Sequence, residues 1–236
     1  MKSWQEDLLT SAIQAGGELE IFSSIEAAAH ALGFEYCAYG FRAPVPLTNP
    51  KTVLLNNYPQ QWRERYEKAG YLQTDPTVLH ARKSQTPLVW DDRMFASARD
   101  LWEEARSFGL RVGWAQSSLD GVGVGGMLTL ARSGEPLTQV ELDCKEHQLR
   151  WLVHTAHMSL ARVLKAKQPE HDICLTFREL EILKWTADGK SSQEIADILA
   201  VSKNTVDFHV KNAVAKMQTA NKTAATVRAA MLGLLN

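Results

Sequence analysis

The sequence lacks long apolar runs and has few cysteines. No uninterrupted apolar stretch approaches the roughly 18 to 20 residues that span a bilayer. Acids also stand near the N-terminus, where a signal peptide would carry an apolar core. We therefore expect a cytoplasmic protein. Cys37, Cys144 and Cys174 show no C-x-x-C spacing, which argues against a disulfide framework or a zinc site.

The chain also lacks a strong excess of either charge. Its formal net charge is −1, which is not typical of a nucleic-acid-binding chain taken as a whole. The charge is unevenly divided, because residues 175–236 contain eight basic and six acidic residues, which leaves −3 for residues 1–174. Hydrophobic residues make up 45% of the chain, enough for cores in two modest domains.

A polar stretch around Pro169 follows a long helical pattern, as an interdomain linker would. We therefore predict an N-terminal domain over residues 1–165, a linker over 166–174 and a C-terminal domain over 175–236. The N-terminal domain shows mixed periodicities. Helical patterns cover the first ~30 residues and then 60–68, 76–83, 95–108 and 138–164. Alternating patterns predict strands at 34–41, 52–57, 110–119 and 127–132.

This mixture predicts the fold class. We expect an α+β N-terminal domain, an α/β/α sandwich around an antiparallel sheet, followed by an all-α C-terminal domain.

Three helix starts follow one another in the C-terminal domain. Thr176 and Ser191 each precede a glutamate by three residues, which is the capping-box pattern, and Ser202 can cap a third helix. Gly189 is expected to end the first helix. In the second helix the residues expected to face inward are Ile195, Ala196, Ile198 and Leu199.

The third of these helices has one apolar face and one polar face. Val206, Val210, Ala213 and Met217 share the apolar face. Two short helices joined by a tight turn meet the requirement of a helix-turn-helix, whose second helix enters the major groove. A lone polar face would more often be merely solvated, but the preceding caps and turn favour DNA binding. The candidate DNA-binding residues are Lys203, Asn204, Thr205, Asp207, His209, Lys211, Asn212 and Lys216.

The stretch from Leu175 to Met217 resembles the LuxR-type DNA-binding domain. Glu179, Leu183 and Gly189 stand at characteristic positions of that family. Asp207 departs from the pattern, because many members carry Lys, Asn or another DNA-compatible residue there. An acid facing phosphate would weaken general affinity, although it could accept from a cytosine amine or orient a lysine four residues away.

Aromatic and polar residues recur between positions 58 and 129. Trp62 and Tyr66, four residues apart, are by themselves more often core packing than a binding site. An amphiphilic ligand needs an apolar cavity with a few convergent polar groups. Nearly the whole chain resembles the acyl-homoserine lactone receptors of the LuxR type, whose characteristic positions are matched by Trp62, Tyr66, Asp75, Pro76, Trp90 and Gly113.

This resemblance implies a role for each residue of the site. Trp62 would donate to the lactone carbonyl, Asp75 would accept from the ligand amide, and Tyr58 would donate to the acyl carbonyl. Thr77 and Thr129 would add hydroxyl contacts, while Tyr66 and Trp90 would form walls. Residues near Ala38, Tyr39, Leu110, Val112 and Met127 would bear on cavity size. No cofactor is implied beyond an N-acyl-homoserine lactone as the ligand.

The long helical pattern at 138–164 is a candidate interface between two copies of the chain. Its apolar positions include Val140, Leu149, Leu152, Val153, Leu160 and Val163. They can pack on their own domain or form an interface, and we favour a homodimer because two helix-turn-helix modules read the half-sites of a palindrome. The resembling family also pairs through the last helix, here about 221–232. The implied partners are double-stranded promoter DNA and RNA polymerase, in quorum sensing.

Other classes of function are weaker. A response regulator would need an acidic pair, a strand-end aspartate and a later lysine, and that spacing is not found. His154 and His157 lack a further metal ligand nearby, so a solvated or packed pair is favoured. The glycines from Gly121 to Gly126 lack the features of a phosphate loop, and no G-x-S-x-G motif exists. A regulator of this fold that binds another small molecule, or none, stays as the alternative.

Overall fold

The computed structural model describes residues 4–14, 16–120, 124–167 and 173–235. The chain divides into two compact units. The first contains the described residues up to 43 and those of 52–120 and 124–166; the second contains the segment 44–51 and the described residues from 167 onward. The predicted linker at 166–174 and the glycine-rich connection at 121–126 lie partly outside the described residues.

A five-stranded sheet forms the centre of the first unit. Its order is β2-β1-β5-β4-β3, and every neighbouring pair is antiparallel. The strands are β1 (Tyr36–Arg42), β2 (Thr52–Asn56), β3 (Leu88–Val89), β4 (Val112–Leu119) and β5 (Gly125–Arg132). The four strands predicted from the alternation are confirmed, and β3 was missed because two residues show no period.

Side-chain alternation gives the sheet two distinct faces. Along β1, Ala38 and Gly40 line a cavity on one face, whereas Tyr39 and Phe41 are each 1% exposed on the other. The Tyr39 hydroxyl lies 2.9 Å from Nδ1 of His157. A Cβ atom at Gly126 would lie 2.2 Å from that same nitrogen, so only glycine leaves room for the pair.

In the part of the first unit that the structure describes, six helices accompany the sheet. They are α1 (Trp4–Gln14), α2 (Glu18–Ala31), α3 (Gln60–Lys68), α4 (Pro76–Ala81), α5 (Arg99–Ser107) and α6 (Gln139–Ala166). Helices α2 and α6 pack on the sheet face that carries Tyr39. The single helix expected over 95–108 is in fact two elements, because a 3-10 turn at Met94–Ser97 ends at Ala98, whose φ of −140° and ψ of 52° are not helical.

The apolar positions of α6 mostly face their own chain. Leu149, Leu152, Val153 and Leu160 are at most 4% exposed within the single chain. This burial explains the apolar pattern without a second chain, so reading those four side chains as an interface was wrong. Val140, by contrast, is 72% exposed.

The described residues of the second unit include four helices. They are α7 (Phe177–Ala187), α8 (Ser192–Leu199), α9 (Lys203–Lys216) and α10 (Lys222–Met231). Both capping boxes and the Ser202 cap are confirmed. Gly189 follows the first helix with a φ of 84°, a conformation that favours glycine. Within the described residues, no helix is long and apolar enough to cross a membrane.

One expectation for α8 was wrong. Ile195 and Ala196 are buried, but Ile198 is 45% exposed. The stripe that α8 presents to the core runs through Ile195 and Leu199, one turn apart, and Ile198 falls on its flank.

Glu141, at the start of α6, joins three elements of the first unit. Its carboxylate accepts from both terminal nitrogens of Arg132 on β5, at 2.9 and 2.7 Å, and from Nζ of Lys145 at 2.6 Å. Lys145 also donates to the carbonyl of Leu32, just after α2. The hydrogen bonds from Arg132, reinforced by Lys145, lower the pKa of Glu141 to about 2.

The substitution Glu141→Gln should therefore destabilise the fold in a pH-dependent manner. The folded-state pKa lies below the ordinary 4.5, so the stabilisation is present above pH 4.5 and is lost as the pH falls towards 2. We expect a loss of roughly 1 kcal/mol at pH 7, allowing for solvent screening, measured by urea unfolding at a series of pH values.

The matched control is Glu146→Gln. Glu146 pairs with Arg150 at 2.8 Å, but both side chains are about half exposed, so this change should have little effect at any pH. A deficit of Glu141→Gln that stays constant from pH 7 to pH 3 would contradict the role of the Glu141 charge.

Candidate ligand cavity and DNA-binding surface

The first unit contains a cavity of about 670 Å³. This volume lies within the usual range of small-molecule sites. The cavity lies between one face of the sheet and the residues of α3, α4 and α5. All seven ligand-binding residues predicted from the sequence line it: Tyr58, Trp62, Tyr66, Asp75, Thr77, Trp90 and Thr129.

Helix α3 supplies two aromatic rings to the cavity. Trp62 and Tyr66 are one helical turn apart, and their rings meet edge to face with centroids 5.7 Å apart. Trp62 is only 3% exposed and also packs against Phe108, at 5.6 Å. The rings are part of the core and also line the cavity, so core packing is confirmed and the ligand interpretation of this pair stays a prediction.

Asp75 is the acidic group of the cavity. It is the N-cap of α4, with Pro76 as the first helical residue. Its Oδ1 accepts from the backbone N–H and the hydroxyl of Thr77, at 2.8 and 2.7 Å, and its Oδ2 accepts from the Tyr66 hydroxyl at 2.8 Å. Burial raises the pKa of the Asp75 carboxyl, while the hydrogen bonds from Thr77 and Tyr66 act in the opposite direction.

The two tyrosines of the cavity are held as hydroxyl donors. Burial, and then the charge of Asp75, raises the pKa of Tyr66 above its ordinary value. Burial likewise raises the pKa of Tyr58. Neither phenol loses its proton near neutral pH, so each keeps an O–H to donate.

A second aromatic cluster, centred on Trp90, forms part of the cavity wall. The Trp90 ring meets Phe95 and Trp102 edge to face at 6.0 and 6.1 Å, and those two rings stack at 4.5 Å. A Cβ atom at Gly113 would lie 2.2 Å from Cδ2 of Trp90. The absence of a side chain at Gly113 therefore allows the Trp90 ring to occupy its position. The sequence indicated a role for Gly113 only through the family resemblance.

The floor of the cavity comes from the sheet. Ala38 and Met127 line it as expected, and Leu110 lies in its wall, whereas Tyr39 and Val112 do not line it. The side chain of Tyr39 points to the opposite face of the sheet. Several further lining residues were not predicted from the sequence. Alternation along β2 could have indicated Thr52, Leu54 and Asn56. The others are Arg63, Leu72, Phe95, Leu101 and Ala105.

The second candidate site is the outer surface of α9. Lys203, Asn204, Thr205, Asp207 and Lys211 are exposed there. His209 and Asn212 are half-buried at its sides. Asp207 forms no ion pair with Lys203 or Lys211, and neither lysine pairs with any other described acid. Their ammonium groups are thus available to an external anion.

Lys216 has a different environment. Its Nζ donates to Oε2 of Glu179 at 2.7 Å, and Glu179 is only 2% exposed. Burial alone would raise the pKa of Glu179, but the hydrogen bonds from Lys216 and Thr176 outweigh it and lower the pKa. The last turn of α9 is thereby fixed to the first turn of α7.

Comparison with known proteins matches both units. The autoinducer binding domain family matches residues 17–160, and the family of bacterial regulatory proteins of the luxR type matches residues 174–229. The chain is 47% identical to the transcriptional activator protein AnoR of Acinetobacter nosocomialis, over 100% of both chains.

Solved structures agree with these matches. A crystal structure of SdiA from Escherichia coli is 35% identical, covers 99% of this chain and 98% of its own, and superposes with a TM-score of 0.86. A structure of SdiA in complex with octanoyl-rac-glycerol, also 35% identical, covers 100% and 99% with a TM-score of 0.84. The chain therefore belongs to the LuxR family of quorum-sensing transcriptional regulators, with an autoinducer-binding domain and a helix-turn-helix that binds DNA, and it is not an enzyme.

Proposed function

We propose that the cavity binds an N-acyl-homoserine lactone and that the loaded chain acts as a homodimer on palindromic promoter DNA. The observation that carries this proposal is the carboxylate of Asp75 in the wall of a largely apolar cavity. Oδ2 of Asp75 accepts from the Tyr66 hydroxyl. Each carboxylate oxygen can accept about two hydrogen bonds, so Oδ2 keeps capacity for a donor on a ligand.

The other polar groups of the cavity complement an amide. Tyr58 carries a hydroxyl and Trp62 an indole N–H, and both residues line the cavity with Asp75. A ligand that donates one N–H to Asp75 and offers carbonyl oxygens to Tyr58 and Trp62 satisfies all three. Thr77 and Thr129 add hydroxyl contacts, and the rings of Tyr66 and Trp90 cover the head group.

An acyl tail suits the remainder of the cavity. Ala38, Leu54 and Met127 supply an apolar surface beyond the polar groups. Each buried CH2 group contributes about 0.8 kcal/mol, so the tail supplies much of the affinity. Because the ligand binds the folded unit and not the unfolded chain, its binding stabilises the fold.

The proposed reading of DNA requires two copies of the chain. A pair of helix-turn-helix modules related by twofold symmetry contacts two half-sites one helical turn apart. The exposed Lys203 and Lys211 contact phosphates or guanine edges, and Asn204 contacts a base. AnoR is by name a transcriptional activator, and by analogy we propose that this chain contacts RNA polymerase. We place the domain boundary at the linker over 166–174.

A second ligand class has specific support. The related SdiA structure holds octanoyl-rac-glycerol, which has an acyl chain but no amide N–H. A glycerol hydroxyl can serve as the donor to Asp75 in its place. The lactones and 1-octanoyl-rac-glycerol should therefore be compared side by side.

Ligand binding should stabilise the chain and should depend on Asp75. N-acyl-homoserine lactones of some chain length should raise the melting temperature of the full chain, and Asp75→Asn should weaken that ligand's binding by about 10- to 150-fold, since a hydrogen bond to a charged group contributes about 1.5 to 3 kcal/mol. Asparagine still caps a helix, so α4 should persist. Thermal shift and calorimetry provide the measurement.

Asp143→Asn is the matched control, because Asp143 is an exposed carboxylate of the same unit and does not line the cavity. The Asp143→Asn variant should bind the ligand with the same affinity as the unchanged protein. If no lactone of any chain length shifts the melting temperature while 1-octanoyl-rac-glycerol does, the second ligand class replaces the first.

Two lysines of α9 should contribute differently to DNA binding and to stability. Lys211→Met should reduce the slope of log K for DNA against log salt by about 0.9 per lysine, because one phosphate contact is lost. Lys216→Met should leave that slope unchanged and should instead lower the melting temperature, since the buried Glu179 loses its lysine partner. Fluorescence anisotropy at several salt concentrations measures the slope, and equal slope changes in both variants would contradict the distinction.

A further inference from the structure

Phe208 is an aromatic side chain on the outer face of α9. It is 60% exposed, whereas Val206 and Ala213 on the inner face are fully buried. Asn204 stands one turn before it and Lys211 and Asn212 stand about one turn after it, so these four residues share one stripe. The ring thus lies in the middle of the polar surface proposed to enter the major groove.

The position of the ring is constrained by its neighbour. Phe208 meets the ring of His209 edge to face, with centroids 5.4 Å apart. No described hydrophobic cluster includes Phe208. The packing of the second unit therefore does not require a ring at this position, and its exposed face is accessible to a partner outside the unit.

The neighbours of Phe208 indicate the chemistry of that partner. An asparagine side chain forms paired hydrogen bonds with adenine, and a lysine binds phosphate or guanine. Asn204, before the ring on α9, and Lys211, after it, are therefore both suited to contact a DNA duplex. The one apolar group that the bases expose in the major groove is the 5-methyl group of thymine.

We infer that Phe208 is a specificity-determining residue that packs on the 5-methyl group of a thymine in each half-site. The inference rests on the proposed placement of α9 in the major groove. It adds a contact that hydrogen-bonding residues cannot make, because only an apolar group distinguishes thymine from uracil. The two bases have the same hydrogen-bonding edge.

The experiment removes the methyl group from the DNA and the ring from the protein. The full chain, with the lactone that stabilises it most, selects duplexes from a randomised library. Each thymine of the selected duplex is then replaced in turn by deoxyuridine. At one position per half-site the unchanged protein should bind about fourfold more weakly, the value expected for burying one methyl-sized group.

Three variants complete the test. Phe208→Ala should bind the selected duplex more weakly and should show no further loss with deoxyuridine at that position, while Phe208→Leu should keep part of the sensitivity. Phe177→Ala is the matched control, because Phe177 is 80% exposed at the first position of α7 in the same unit. It should behave as the unchanged protein does. Circular dichroism and thermal unfolding establish that all three variants are folded.

The possible failures are distinguishable. If the unchanged protein binds the duplex but no deoxyuridine substitution weakens it, or if Phe208→Ala keeps the same sensitivity, the inference is overturned and the proposed function stands. In that case Phe208 is an isolated exposed side chain, which is common on protein surfaces. If no duplex is selected at all, the proposed function fails and the inference fails with it.

Discussion

A carboxylate in an apolar cavity constrains everything around it. Asp75 is stable there because its oxygens accept from Thr77 and Tyr66, since a buried charge without partners would be very costly. The same bonds start α4 and fix the tyrosine of α3. The helix that covers one side of the cavity and the ring that lines another are therefore positioned by one acidic side chain. In the proposed binding mode a ligand donor at Oδ2 completes this set, so that recognition and folding would use the same group.

A buried acid has a corresponding role in the second unit. Glu179 caps the backbone of Thr176 at the start of α7 and binds Lys216 at the end of α9. Hydrogen bonds within one chain thus set the orientation of α9, the helix proposed to read DNA. On the exposed surface of α9, Lys203 and Lys211 have no ion-pair partner among the described residues. In both units a buried acidic side chain positions the helices that carry the candidate functional residues.

Local rules predicted much of this structure. The caps at Thr176, Ser191 and Ser202 were evident because a helix start depends on residues only three apart, and the longer strands were evident from alternation. Long-range contacts were not evident. The sequence could not show that Glu179 binds Lys216, 37 residues later, or that the apolar positions of α6 are buried in their own chain. The same holds for the cavity, whose lining from β2 depends on strand order, and for Phe208, which patterns of polar residues do not detect.

Strand β1 separates the cavity from the long helix α6. Successive residues on it serve opposite sides: Ala38 faces the cavity, and Tyr39 reaches His157 of α6. Burial lowers the pKa of His157, so this contact stays uncharged at neutral pH. Close-packed interiors transmit small displacements. A change at Ala38 in the cavity floor therefore also reaches Tyr39 and its contact with α6, within the same unit.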